Sequence, residues 1–142
     1  MTTPLTYTLI GDPVPLARPR MSGSVRKVYD SQKIIKHSLV NQLLEQHGDR
    51  PLYSGPLHLD VTFYMRMPIG MLKKTKDNVG KFHVYNPDLD NLIKMVGDIA
   101  TIDPYSEDAS ILLKDDCIFA SITAKKVYDL IPRTVFTITE LK

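Results

Sequence analysis

The sequence predicts an α+β fold: one mixed β-sheet, with elements running β-α-β-α-β-β along the chain, packed against two helices in a single domain over residues 1–142. Two segments space their apolar residues three and four apart, as an amphipathic helix requires. One segment alternates strictly, and three others are short runs of β-formers bounded by turn residues. With 142 residues and 43% apolar content, the chain can bury a sizeable core.

Tyr7-Thr8-Leu9-Ile10 reads as the first strand, closed by Gly11-Asp12-Pro13. The following VPLARPRMSGSVRKVYD is basic, adds prolines at 15 and 19 to Pro13, and reads as a loop, because proline cannot donate a backbone hydrogen bond. Ser31 is the expected N-cap of a helix over about 32–47, with Ile34, Ile35, Leu39, Leu43 and Leu44 as its stripe and Gly48 as its stop. Leu57, Leu59, Val61, Phe63 and Met65 alternate along a half-buried strand. Residues 68–86, with Lys73, Lys74, Lys76, Lys81 and two glycines, read as a mobile loop. A second helix runs from Pro87 or Asp88 to Ala100, burying Leu92, Met95, Val96 and Ile99. Residues 103–110 form a polar connection. Strands follow at Ile118–Val127, with Ile118, Ala120 and Ile122 on one side, and at Thr134–Thr139.

Composition excludes several classes of function. No apolar run approaches a membrane span, and the N-terminal residues lack the basic and apolar regions of a secretory signal. The single Cys117 can form neither an intramolecular disulfide nor a thiolate zinc cluster, so a reducing, cytoplasmic setting is expected. No phosphate-cradling glycine-lysine loop is present, which argues against a nucleotide cofactor, and no nucleophile elbow marks a serine hydrolase.

The net charge of +2 hides a polarised chain. Residues 1–36 carry Arg18, Arg20, Arg26, Lys27, Lys33 and Lys36 against Asp12 and Asp30, a balance of +4. Residues 86–116 carry eight acids against Lys94 and Lys114, a balance of −6. A basic arm beside an acidic centre suits a protein that holds phosphates with one and a cation with the other. Arg18, Arg20, Arg26 and Lys27 supply the arm, whose guanidinium forks match phosphate geometry.

The acidic centre is NPDLDNLIK followed by Asp115-Asp116. Asp88 and Asp90, joined by an acid from a distant strand start, are hard oxygen donors of the kind that Mg²⁺ takes, one or two carboxylates completed by water and substrate phosphate. Asp88 could equally cap the helix, Asp90 complement its dipole, and Asp115-Asp116 form a turn. Lys94 could pair with Asp90 at i,i+4, or stand beside the metal and stabilise charge on a reacting phosphate. Asp98 reads as structural, or as a residue that supports the acids from behind. His37, His47 and His58 read as structural too, whereas His83, near Tyr85 before the acidic motif, is a candidate DNA contact.

The succession GDPVPLARPR, VYD, NPDLDNLIKMVGDIA and KDDCIFASITAKKVY resembles the RusA family of Holliday-junction resolvases, in order from about Leu9 to Tyr128. The resemblance implies a Mg²⁺-dependent homodimeric endonuclease of phages and prophages that nicks four-way DNA junctions symmetrically during recombination and repair, with Mn²⁺ as a substitute metal. It implies Asp88, Asp90 and Asp116 as essential metal-binding acids and Lys94 as the catalytic lysine. Two departures bear on junction choice: residues 101–114 form a longer connection than in the shortest members, and Tyr85-Asn86-Pro87 stands where others have arginines. Two readings from other classes compete. A non-catalytic junction-binding protein with a degenerate acidic site predicts binding without cutting, and a nucleotide phosphohydrolase predicts turnover of free nucleotides without need of the arm.

Overall fold

A computed structural model describes residues 4–17, 20–21, 28–29, 32–103 and 106–141, with side chains left undescribed at 20–21, 28–29 and 102–109. The elements in chain order are β1 (Leu5–Ile10), β2 (Arg20–Met21), β3 (Val28–Tyr29), α1 (Lys33–His47), β4 (Leu57–Arg66), α2 (Ile69–Leu72), α3 (Thr75–Asn78), α4 (Leu89–Thr101), β5 (Ile102–Asp103), β6 (Ser106–Ser110), a 3-10 turn (Asp116–Ile118), β7 (Phe119–Asp129) and β8 (Arg133–Glu140). The expected mixed sheet is present, in the order β1-β8-β4-β7. β4 lies antiparallel to β8 and parallel to β7, so the chain between β4 and β7 must cross over, and α4 makes that crossing.

The alternation read along β4 decides which way the sheet faces. Leu57, Leu59, Val61, Phe63 and Met65 are all buried, joined by Tyr7 and Leu9 of β1 and by Phe136 and Ile138 of β8. Leu92, Met95, Val96 and Ile99 of α4 close over this face as their spacing predicts. Each such side chain stabilises the fold by about 1.5–3 kcal/mol on burial.

Both sheet edges are managed. Along β1, Gln46 Oε1 accepts from the Thr8 amide at 2.8 Å, its Nε2 donates to the Thr8 carbonyl at 2.8 Å, and Gln42 Oε1 accepts from the Ile10 amide at 2.8 Å. Helix α1 therefore satisfies an edge that would otherwise template another strand. Along β7, residues 80–83 pair with Lys126–Tyr128 through Gly80 N to Tyr128 O at 2.9 Å, Tyr128 N to Lys81 O at 2.9 Å and His83 N to Lys126 O at 3.0 Å.

Several expectations need correction. The stripe of α1 is not Ile34-Ile35-Leu39-Leu43-Leu44: Ile34 is 84% exposed, and the buried residues are His37, Val40, Leu43 and His47. Apolar residues surround this helix, so spacing alone could not choose its inner face; docking on β1 and α4 did. His47 is structural as expected, with Nδ1 at 2.8 Å from the Tyr7 hydroxyl and Nε2 at 3.1 Å from the Pro51 carbonyl. Gly48 does end α1, at φ 63° with its amide donating to Leu44 O, a left-handed position that suits glycine. Residues 68–86 are not one open loop: they form α2, α3 and the segment paired with β7. The connection 103–110 contains the β5–β6 pair. Ala120 and Ile122 of β7 face outward. Ser31 lies outside the described residues. No helix among those described is long and apolar enough to cross a membrane.

Candidate active site

The acidic motif opens α4, and three contacts fix where that opening sits. The Lys126 ammonium, from β7, donates to the carbonyls of Tyr85 at 2.8 Å and Pro87 at 2.7 Å, gripping the approach to Asp88 from both sides of Asn86. The amide of Leu16 donates to the Asn91 carbonyl at 3.0 Å. Gln32 then holds the same strand-like stretch, accepting from the Ala17 amide and donating to the Pro15 carbonyl, both at 2.8 Å. The basic arm therefore departs from a point docked on the first turn of α4. Arg18, Arg26 and Lys27 lie outside the described residues, and Arg20 is described only as backbone in β2, which pairs with β3.

Asp88 and Asp90 are both exposed, and among the described residues neither carboxylate makes a hydrogen bond or ion pair. The capping role that Asp88 could have played is not taken up. Lys94, also exposed, makes no ion pair with any described residue, so the Asp90–Lys94 salt bridge is not formed. Asp98 pairs instead with Lys36 of α1 at 2.8 Å, the Lys36 side chain only 12% exposed, which makes Asp98 a tie between the helices.

The second acidic pair is delivered by an anchor that the sequence reading passed over. Ile111, Leu112 and Leu113 are buried at the end of α4, where the Leu112 and Leu113 amides donate to the Ala100 carbonyl at 2.8 and 3.2 Å. Two residues later Asp115 accepts from the Cys117 amide at 3.0 Å and caps the 3-10 turn. That hydrogen bond holds the Asp115 carboxyl below the usual carboxylate range. Asp116 is thereby turned toward α4, where it lies against Gly97.

Gly97 explains how close this approach can be. A Cβ at position 97 would stand 3.0 Å from Asp116 Oδ2 and 3.4 Å from its Cβ. The missing side chain is the room that the aspartate occupies. Asp90, Lys94 and Gly97 lie within about 60° of one another around the helix, so Asp116 joins the face that bears Asp90 and Lys94. Partial burial against the helix, the hydrogen-bonded Asp115 beside it, and the charge of Asp98 raise the Asp116 carboxyl above its ordinary value. Such crowding favours a proton or a cation at this point. Gly97 nonetheless stands about 10 Å along the helix axis from Asp90, and among the described residues no three His, Cys, Asp or Glu are spaced to hold a metal on their own. Asp90 and Asp116 lie along one helix face rather than in a closed cage, with Asp88 just before the helix begins. A lone glycine inside an apolar helical pattern was the signal in the sequence that another group comes close.

The geometry suits binding of a phosphate to a cation held at the acids, with Lys94 beside it. Cys117 is exposed, and the neighbouring Asp115 charge pushes its thiol up, away from nucleophilic chemistry. His58 is engaged with Ser121 at 2.8 Å, and His83 packs on Tyr128 with ring centroids 5.0 Å apart.

Comparison with known proteins places this arrangement. The chain is 30% identical over 148 residues, covering 96% of each sequence, to the uncharacterized protein YqaN of Bacillus subtilis strain 168. Residues 11–139 match the family model of the endodeoxyribonuclease RusA, a span holding the arm, the α4 acids, Gly97 and Asp116 alike. The chain belongs to the RusA endodeoxyribonuclease family.

Proposed function

We propose that the protein is a Mg²⁺-dependent, structure-selective endonuclease that resolves Holliday junctions by paired symmetric nicks, acting in recombination and repair in the cytosol of a bacterium or phage-infected host. The observation that carries the reading is the fit of Asp116 against Gly97 on the helix face of Asp90 and Lys94. An accidental acidic surface has no need of a glycine that admits one carboxylate. Asp88, Asp90 and Asp116 are the acids offered to Mg²⁺, or to Mn²⁺ in its place; they are not spaced to hold the ion on their own, and the scissile phosphate and water would have to complete the site. Such an ion, when bound, would activate a water and give Lewis-acid stabilisation to the phosphate. Lys94, free of other partners among the described residues, is available to neutralise charge on the reacting phosphate. Two symmetric cuts need two sites related by a two-fold axis, hence a homodimer.

The test is a labelled synthetic four-way junction incubated with and without Mg²⁺, with linear duplex and free nucleotides as parallel substrates. The expected products are ligatable nicks, with 5′-phosphate and 3′-hydroxyl ends, only when metal is present. Binding without cutting would identify a junction-clamping protein, and turnover of nucleotides a phosphohydrolase.

Two expected outcomes arise from the site's construction. Gly97→Ala gains about 1 kcal/mol of helix propensity, yet forces Asp116 to give way by a few tenths of an ångström. The variant should melt at or slightly above the parent temperature while cutting about ten-fold more slowly, a combination that calorimetry and a cleavage assay would check together. Arg18→Ala with Arg20→Ala should weaken junction binding and flatten the log-log salt dependence by about one unit per lost phosphate contact. A salt titration that leaves the slope unchanged would remove the arm from the interface.

A further inference from the structure

Beside the acids lies a surface that the chemistry does not use. Phe82, Val84 and Tyr85 are 70%, 77% and 71% exposed, an unusual concentration of large apolar side chains for four residues of chain. The segment is nevertheless held firmly. Its backbone is paired to β7 at residues 80–83, and its far end is gripped by Lys126 at the Tyr85 carbonyl. The Tyr85 ring is buttressed as well: it meets His83 edge-to-face at 85°, with centroids 6.1 Å apart, and His83 rests on the buried Tyr128. Burial and the nearby Lys126 charge hold His83 below its ordinary pKa. Exposed Lys81 and Lys125 flank the segment, and Lys73, Lys74 and Lys76 stand exposed on the preceding α2–α3 stretch.

We propose that Phe82 and Tyr85 form a rigid stacking platform that takes up bases unpaired at the branch point of the DNA, and that this platform contributes the preference for branched over linear substrate. Rigid exposed rings set among lysines are what sequence-tolerant stacking on nucleobases requires: the rings take the base faces and the ammonium groups the phosphates. Position favours this occupant too. Tyr85 is three residues from Asp88, so the Tyr85 end of the platform lies within about 10 Å of the first acid, about the reach of three nucleotides along a strand. A base stacked there leaves its neighbouring phosphates within reach of the acids. Continuous linear duplex offers no free base faces and loses this contribution. The inference rests on the nuclease reading above and specifies its substrate contact.

Photocrosslinking tests it on the intact protein. A synthetic four-way junction carrying 5-iododeoxyuridine at the branch point is irradiated with the protein in EDTA, so that binding is read without cleavage, and the crosslinked peptide is mapped by mass spectrometry. The expected adducts are on Phe82 or Tyr85. Phe82→Ala with Tyr85→Ala should lose the adduct and cut intact junctions roughly ten-fold or more slowly, while retaining activity on a junction with unpaired bases already present at the branch. Tyr85→Phe should behave as the parent. Because both side chains are exposed, melting temperatures should be unchanged. Crosslinking elsewhere by an active enzyme would overturn the platform and leave the nuclease reading standing. Conversion of a dimeric parent to a monomer by the double alanine variant would show that the surface covers a second copy instead. A parent that binds no junction at all would overturn both readings.

Discussion

Asp90→Asn should abolish cleavage while leaving the protein folded and bound to its junction. The change removes one negative charge and keeps the shape of the side chain. The Asp90 carboxylate is exposed and makes no hydrogen bond or ion pair among the described residues. Nothing in the packing therefore depends on it, and the melting temperature should move by no more than a degree or two. The loss should appear in the chemical step. A metal-bound phosphate draws several kcal/mol of transition-state stabilisation from its ion, so weakening one ligand should slow single-turnover cleavage by about a thousand-fold. Asp88→Asn and Asp116→Asn should act alike, with raised Mg²⁺ partly restoring the rate. Asp103 and Asp108 should tolerate the same change. Junction cutting by Asp90→Asn at near the parental rate, measured with protein in excess, would remove Asp90 from the site.

The second large effect is expected at Lys94. Its i,i+4 relation to Asp90 would contribute only a few tenths of a kcal/mol even if formed, and that pair is not made. Helix α4 already gains its packing from Leu92, Met95, Val96 and Ile99. Lys94→Ala should accordingly melt within a few degrees of the parent and bind junctions within a few-fold. Single-turnover cleavage should fall by about a hundred-fold or more, the scale observed when one preorganised electrostatic donor is lost. Lys94→Arg keeps the charge on a larger, planar group and should restore only part of the rate. A sharp drop in melting temperature would return Lys94 to a structural role, and an unchanged rate would remove it from the chemistry.

Much of this was legible from residue order because local periodicity and local chemistry carried it. The strict alternation of Leu57 to Met65 admits one buried face, and Leu92-Met95-Val96-Ile99 admits one inner stripe, so β4 and α4 could be placed without neighbours. Helix α1 could not be oriented in that way. Its apolar residues lie all round, and the choice of His37, Val40, Leu43 and His47 as the inner face came from contact with β1 and α4. Residues 68–86 looked open because their pairing partner, β7, lies some forty positions further along the chain.

The candidate site divides along the same line. The sequence by itself determined the residue types of a phosphate-handling centre: two acids two residues apart, a lysine one turn on, a later acidic pair and a basic arm. It could do so for the acids and the lysine because these sit at one helix and one turn, where spacing fixes relative direction. Only the tertiary structure decided which acid of Asp115-Asp116 faces the helix, because that depends on the anchor of Ile111 to Leu113 at the end of α4 and on the space left at Gly97. It likewise took the folded sheet to show Lys126 gripping the approach to Asp88 from thirty-eight positions away, and to leave Phe82 and Tyr85 uncovered beside it. Contacts between distant segments leave no periodic trace in a sequence, since they are set by where the sheet brings strands together rather than by the spacing of residues along any one of them.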